Sequence, residues 1–235
     1  SRTTTAAMAA LTTTQVGALT TGQVKALSAA QVTALTTASV AKLSTDQLKA
    51  LSSSQVRALT TSAVAGMSST QVNALSTSQV ASLSTDQVNA ISTTTLSGLS
   101  TTNLAGLTTS QVAVLDASDV QAMSTSQVAA LTAKQVGAMT TTAVAALSTD
   151  QVKALTTEQV QSLTVGDLNA LSTSQVGALS TSQVSALKDS QIAGLTTGTL
   201  TSLSTTQVAA LTANQIKALT TTEVASLGTA QVQAL

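Results

Sequence analysis

Two acidic residues three apart, Asp116 and Asp119, come nearest in this chain to a pair that could exchange protons. General acid–base chemistry needs two titratable groups held together with different proton affinities. Asp116 stands where the rest of the chain carries Ser or Thr, and Asp is itself a good helix cap, so the pair reads as an extra cap. Lys188 and Asp189 are adjacent opposite charges and read as a solvated pair. Asp46 with Lys49, and Asp150 with Lys153, have the i,i+3 spacing of surface pairs on one helical face. Ser39 and Ser185 each have a lysine three residues on, Lys42 and Lys188, the spacing of a Ser-Lys nucleophile. The companion motifs of such enzymes are missing, and a chain this rich in Ser produces these matches by chance.

Composition removes most other chemistry. There is no His to activate a hydroxyl and no Cys for a disulfide or thiolate site. Metal sites would need His, Cys or clustered carboxylates, and the glycines are spread singly rather than gathered in a phosphate loop. Met8, Met67, Met123 and Met139 fall on apolar positions and read as core. Nine basic residues balance nine acidic ones, scattered singly, so there is no electrostatic footprint for nucleic acid. No apolar run approaches the ~18–20 residues that cross a bilayer, and no charged stretch followed by an apolar one opens the chain, so a signal peptide is absent or already removed. The sequence therefore predicts no catalytic, cofactor-binding or metal-binding residue, no cofactor, no small-molecule substrate and no membrane insertion. The chain should be soluble and not an enzyme.

What the sequence does contain is a phrase of eight residues, first complete at 10–17 as A-L-T-T-T-Q-V-G. Counted from Ala10, 28 consecutive octads run to Gln233, and residues 1–9 are a degenerate copy with Thr3 for Leu and Met8 for Val. Position two is always Leu, Met or Ile, and position seven always Val, Leu or Ile. Position one is small in 26 of the 28, position three is Ser or Thr in 25, and position six is Gln in 19. Residues 1–235 thus read as a single continuous repeat array. A short fixed period means a quasi-one-dimensional stack, each copy touching mainly its neighbours.

The elements that carry this pattern should be short helices. Ser or Thr followed three residues later by Gln is a capping box, with Leu before the cap and Val four beyond it at the spacing of a hydrophobic staple. In the second octad these are Thr20, Gln23, Leu19 and Val24. The helix must then stop, because an apolar stripe repeating every eight residues drifts ~80° per octad at 3.6 residues per turn. Each octad should make a turn or two of helix, about five or six residues, and bend at A-L-[S/T], where a small position one lets backbones approach. The alternative is a β-solenoid, which shares the Thr and Val richness, but the apolar spacings of five and three fit period two poorly. Disorder is disfavoured by a hydrophobic content of 43%.

The fold expected is an all-α solenoid, or superhelix, with one short capped helix per octad. Its Leu and Val face inward, and three or four octads close each coil. Gln at position six could also bond between layers, although its cap role explains it sufficiently. Substitutions show no clear higher period that would fix the coil.

The phrase A-L-[S/T]-T-x-Q-V-x resembles octapeptide tracts of very large bacterial surface and secreted adhesin-like exoproteins, and the resemblance covers the whole chain. It implies an extracellular or cell-surface location and a structural role as stalk or spacer. The haem label attached to some of those proteins is not carried over, because His and Cys are absent here. The fragment L-T-x-x-Q-V is also similar to the opening of repeats in transcription-activator-like effectors, a similarity of helix-start chemistry. Residues 226–235 are as apolar as interior copies, so the chain is expected to be an excerpt of a longer array or to stack on other copies through its ends; such self-association makes a filament subunit the second reading. A binding scaffold and an ice-binding protein are minor alternatives.

Overall fold

The computed structural model describes residues 4–235. The chain among them is helical throughout: 29 helices of four to six residues and no strand. Thr5–Ala9 is the helix of the degenerate first copy, Thr3 of that copy lying outside the described residues. Each octad from 10 onward contributes one helix, so the fold is an all-α solenoid and the β-solenoid alternative is set aside.

One octad shows why each helix starts and stops. Ser52 is extended (φ −72°, ψ 160°), and its hydroxyl accepts from the Gln55 N–H at the head of the helix Ser53–Arg57. Gln55 returns its side-chain oxygen to the Ser52 N–H, completing the capping box. The Val56 N–H donates to the Ser52 carbonyl at 2.9 Å, and the Leu59 N–H closes back on Val56 at 3.2 Å. The bend itself uses two extended residues in a row, as at Leu51 (ψ 140°) and Ser52 (ψ 160°). No described residue has a positive φ. L-residues make the corner without strain, which is why the array turns so often with no proline and only 11 glycines.

The chain divides into two compact units, Ser1–Leu115 and Asp116–Leu235. Within each, a helix packs on the one three octads further along. In the first unit Thr21–Lys25 packs on Thr45–Ala50 and Ser53–Arg57 on Thr77–Ser82; in the second, Thr125–Ala130 packs on Thr149–Ala154. From Leu35 to Leu211 every position-two residue is buried, and so is every position-seven residue from Met8 to Val208. Each buried Val or Leu contributes roughly 1.5–3 kcal/mol of transfer free energy. No helix of this length would persist alone in water, so that burial holds the helices.

Position one is small for a reason found between coils rather than at the bend. A Cβ on Gly98 would lie 2.7 Å from the Ser69 Cβ, and one on Gly194 would lie 2.7 Å from the Val165 Cγ1. The start of one octad thus sits on the helix N-terminus of the coil before it.

Candidate functional site

The most chemically specific group in the fold is the position-six glutamine, and its amide works in two directions. Gln111 Oε1 accepts from the Thr108 N–H at 2.7 Å, completing its own helix cap. Its Nε2 donates to the carbonyls of Val80 at 2.9 Å and Leu83 at 2.7 Å in the preceding coil. In the first unit Gln47, Gln55, Gln71, Gln79 and Gln87 bridge in the same way. In the second, Gln151 donates to Val120 and Met123, both at 2.7 Å, and Gln159, Gln183, Gln207 and Gln215 repeat the pattern. The bridges reach 28 to 31 residues back, so a coil takes between three and four octads. The cap role alone therefore does not explain the residue: an amide both accepts and donates, whereas a carboxylate only accepts.

Asn103 keeps the bridge, to Val72 and Leu75; where position six is neither Gln nor Asn, the bridge changes or is lost. Asp167, 2% exposed, accepts from the Thr164 N–H and hydroxyl and from the Thr141 hydroxyl, so the donor between coils comes from the other side. Glu223 accepts from the Thr220 N–H at 2.6 Å. Ser39 and Thr199 pair with the cap hydroxyls of Thr36 and Thr196, while Ala63 and Ala143 offer nothing. These exceptions carry the higher period that the substitutions hid: Ser39, Ala63, Thr95, Asp119, Ala143, Asp167, Thr199 and Glu223 follow one another at steps of 24 or 32 residues. Those steps are three or four octads, the interval of the coil.

Asn73 and Asn169 repair two of the gaps. In the octads of Asn103 and Thr199 the position-six side chain is too short to return to its own cap. Asn73 Oδ1 accepts from the Ser100 N–H at 2.8 Å, and its Nδ2 donates to the Gly98 carbonyl at 2.9 Å. Asn169 does the same for Thr196 and Gly194, at 2.8 and 2.9 Å. Each reaches across one coil. Sequence reasoning missed both, because position eight otherwise varies freely.

The residues considered for chemistry are dispersed by the fold. Asp116 caps the helix Ala117–Ala122, accepting from the Asp119 N–H at 2.9 Å. Lys188 occupies a cap position and leaves its box half made, with Gln191 Oε1 accepting from its N–H at 2.8 Å. Lys49 and Asp46 pair at 3.8 Å with both side chains exposed, a contact of little energy. Ser39 is buried, and the four methionines lie in the core. Among the described residues, no three of His, Cys, Asp and Glu come together. One concavity, of about 710 Å³, is lined by Met8, Leu11, Leu19 and Leu27 with Gln23 and Gln31, and none of its described lining side chains is titratable. Glu158 is held below the usual glutamate range, first by its own backbone N–H and then by the Thr156 hydroxyl. No helix among the described residues is long and apolar enough to cross a membrane.

No curated protein matches the chain. The ALTTAQ repeat matches it at residues 4–29, 26–61, 53–85, 112–148, 134–165 and 165–197, well over half its length. Those six letters are positions one to six of the octad, ending on the bridging glutamine. The chain belongs to the ALTTAQ repeat family.

Proposed function

We propose that the chain is a structural spacer, an extracellular or cell-surface segment that holds a neighbouring domain away from its base, and that it performs no catalysis. The observation that carries this reading is the fate of the glutamine amides. From Gln47 to Gln215 the position-six amides, the groups best suited to greet a ligand, are buried and used between coils. The surface left over is Ser, Thr and Ala with isolated charges, which offers neither the aromatic anchors nor the charge clusters of a binding face. The resemblance to tracts of bacterial adhesin-like exoproteins, and a composition free of cysteine, support the location.

Two experiments test the proposal. Intact producing cells should expose the array to antibody and to added protease; protection until the cells are broken would contradict a surface role. Sedimentation velocity over a dilution series should give one concentration-independent species. A coefficient that climbs with concentration would replace the spacer by a filament of stacked copies.

A further inference from the structure

The bridges are not distributed evenly around the coil. In the first unit the glutamine-free helices Thr37–Val40 and Thr61–Ala65 stack directly on one another; in the second, Ala117–Ala122, Thr141–Ala145 and Val165–Ala170 form one column, and Thr197–Thr201 stacks with Thr221–Ser226. Where the column advances by four octads instead of three, it drifts as a coil of slightly more than three octads requires. Each unit therefore has one side where coil-to-coil amide bonds are thinned out and other sides where most octads make them.

The bonding left on that side is sparse. Ala63 and Ala143 make no side-chain bond, and Thr95 reaches the Met67 carbonyl only at 3.3 Å. Asp167 borrows the Thr141 hydroxyl. Exposed charge is also absent there: apart from Asp116, positions three, four, five and eight of these octads are Ser, Thr, Ala, Gly, Val, Asn or Gln. Asn73 and Asn169 each add a paired contact from one coil to the next, and they fall in the two units one apiece.

We propose that this side is a compliant seam in each unit, along which neighbouring coils part first when the unit is bent or pulled, and that Asn73 and Asn169 are the staples that limit its opening. The glutamine-bridged sides then serve as the hinge. Stability in stacked repeats is close to a sum of local interface terms, so thinning one interface column lowers local opening free energy there and leaves the remainder intact. A spacer so built yields in one direction while its chain path stays folded.

Backbone hydrogen exchange of the full chain, read residue by residue, tests this. Every octad has the same position-seven amide bonded to its cap carbonyl, as at Val64 and Val56, so octads are compared on one bond. Val64, Leu96, Val144 and Leu200 on the seam should exchange about tenfold faster than Val56, Val88, Val152 and Val184, the size expected for one missing buried hydrogen bond. Asn73→Ala should speed Leu104 by a similar factor and leave Val56 unchanged, and Asn169→Ala should do the same to Leu200 with Val184 unchanged. Equal protection in both classes of octad would overturn the seam. Unchanged rates at Leu104 and Leu200 in both variants would overturn the staples.

Discussion

At the scale of the residue, the same eight letters are read twice, once along the chain and once across it. Thr108 and Gln111 make the difference measurable. Thr108→Ala removes only a cap acceptor and should cost about 0.5–2 kcal/mol. Gln111→Ala removes the return bond of the box and also orphans the Leu83 carbonyl, whereas the Val80 carbonyl keeps the Leu83 N–H. Unmet buried groups cost about 1–3 kcal/mol each, so urea unfolding should show Gln111→Ala to be clearly the worse; equal costs would reduce the glutamine to a cap. The cap half of this was legible in the sequence because its partners lie three residues apart. The bridging half was not, since its acceptors lie 28 and 31 residues away and are backbone groups that carry no letter. Glu158 adds a pH signature. Its folded pKa is lowered, so its contribution is present above the ordinary glutamate value of about 4.3 and is lost as pH falls through the lower folded value. A carboxyl titration by NMR should place its inflection below that value, and Thr156→Ala should move it back upward. An inflection at or above the ordinary value would deny the hydrogen bonds.

The element scale concerns what makes a four- to six-residue helix persist. Caps set where the helices begin, and those boundaries followed from Ser or Thr with Gln three on. Burial makes them last. Val136 has no exposed surface, and Val136→Asp should cost several kcal/mol by placing a charge among apolar neighbours; a variant that melted like the parent would reverse the inward assignment of position seven. The packing of one octad on the previous coil gives a sharper test. Gly194→Ala would drive a methyl onto Val165, whose Cγ1 stands 2.7 Å from the ideal Cβ position, an overpacking cost of about 1–3 kcal/mol. Adding Val165→Ala should return part of that loss. Strict additivity of the two in a double-mutant cycle would show that they do not touch. Sequence reasoning had attributed the small position one to the bend. The bend needs no small residue, as Leu51 and Ser52 turn it with ordinary backbone angles.

For the whole molecule, the all-α solenoid followed from the failure of an eight-residue period to match either a continuous helix or a strand. The coil was harder to read. Glutamine-free octads mark it at steps of 24 and 32 residues, but alternation between two step lengths hides a non-integral period, and Asn103 falls off the series. Once neighbouring coils are seen to pack three octads apart, the steps of 24 become stacked helices within each unit. Glutamine side chains hold coil to coil, and side-chain amide exchange by NMR tests this directly. In the folded chain the Nε2 hydrogens of Gln47, Gln79, Gln111, Gln151 and Gln207 should be dispersed in shift and protected, while those of a surface glutamine such as Gln121 exchange at the rate of a free amide. Free-amide rates at all of them would mean that the coils are held by apolar packing alone, and the bridge would be wrong.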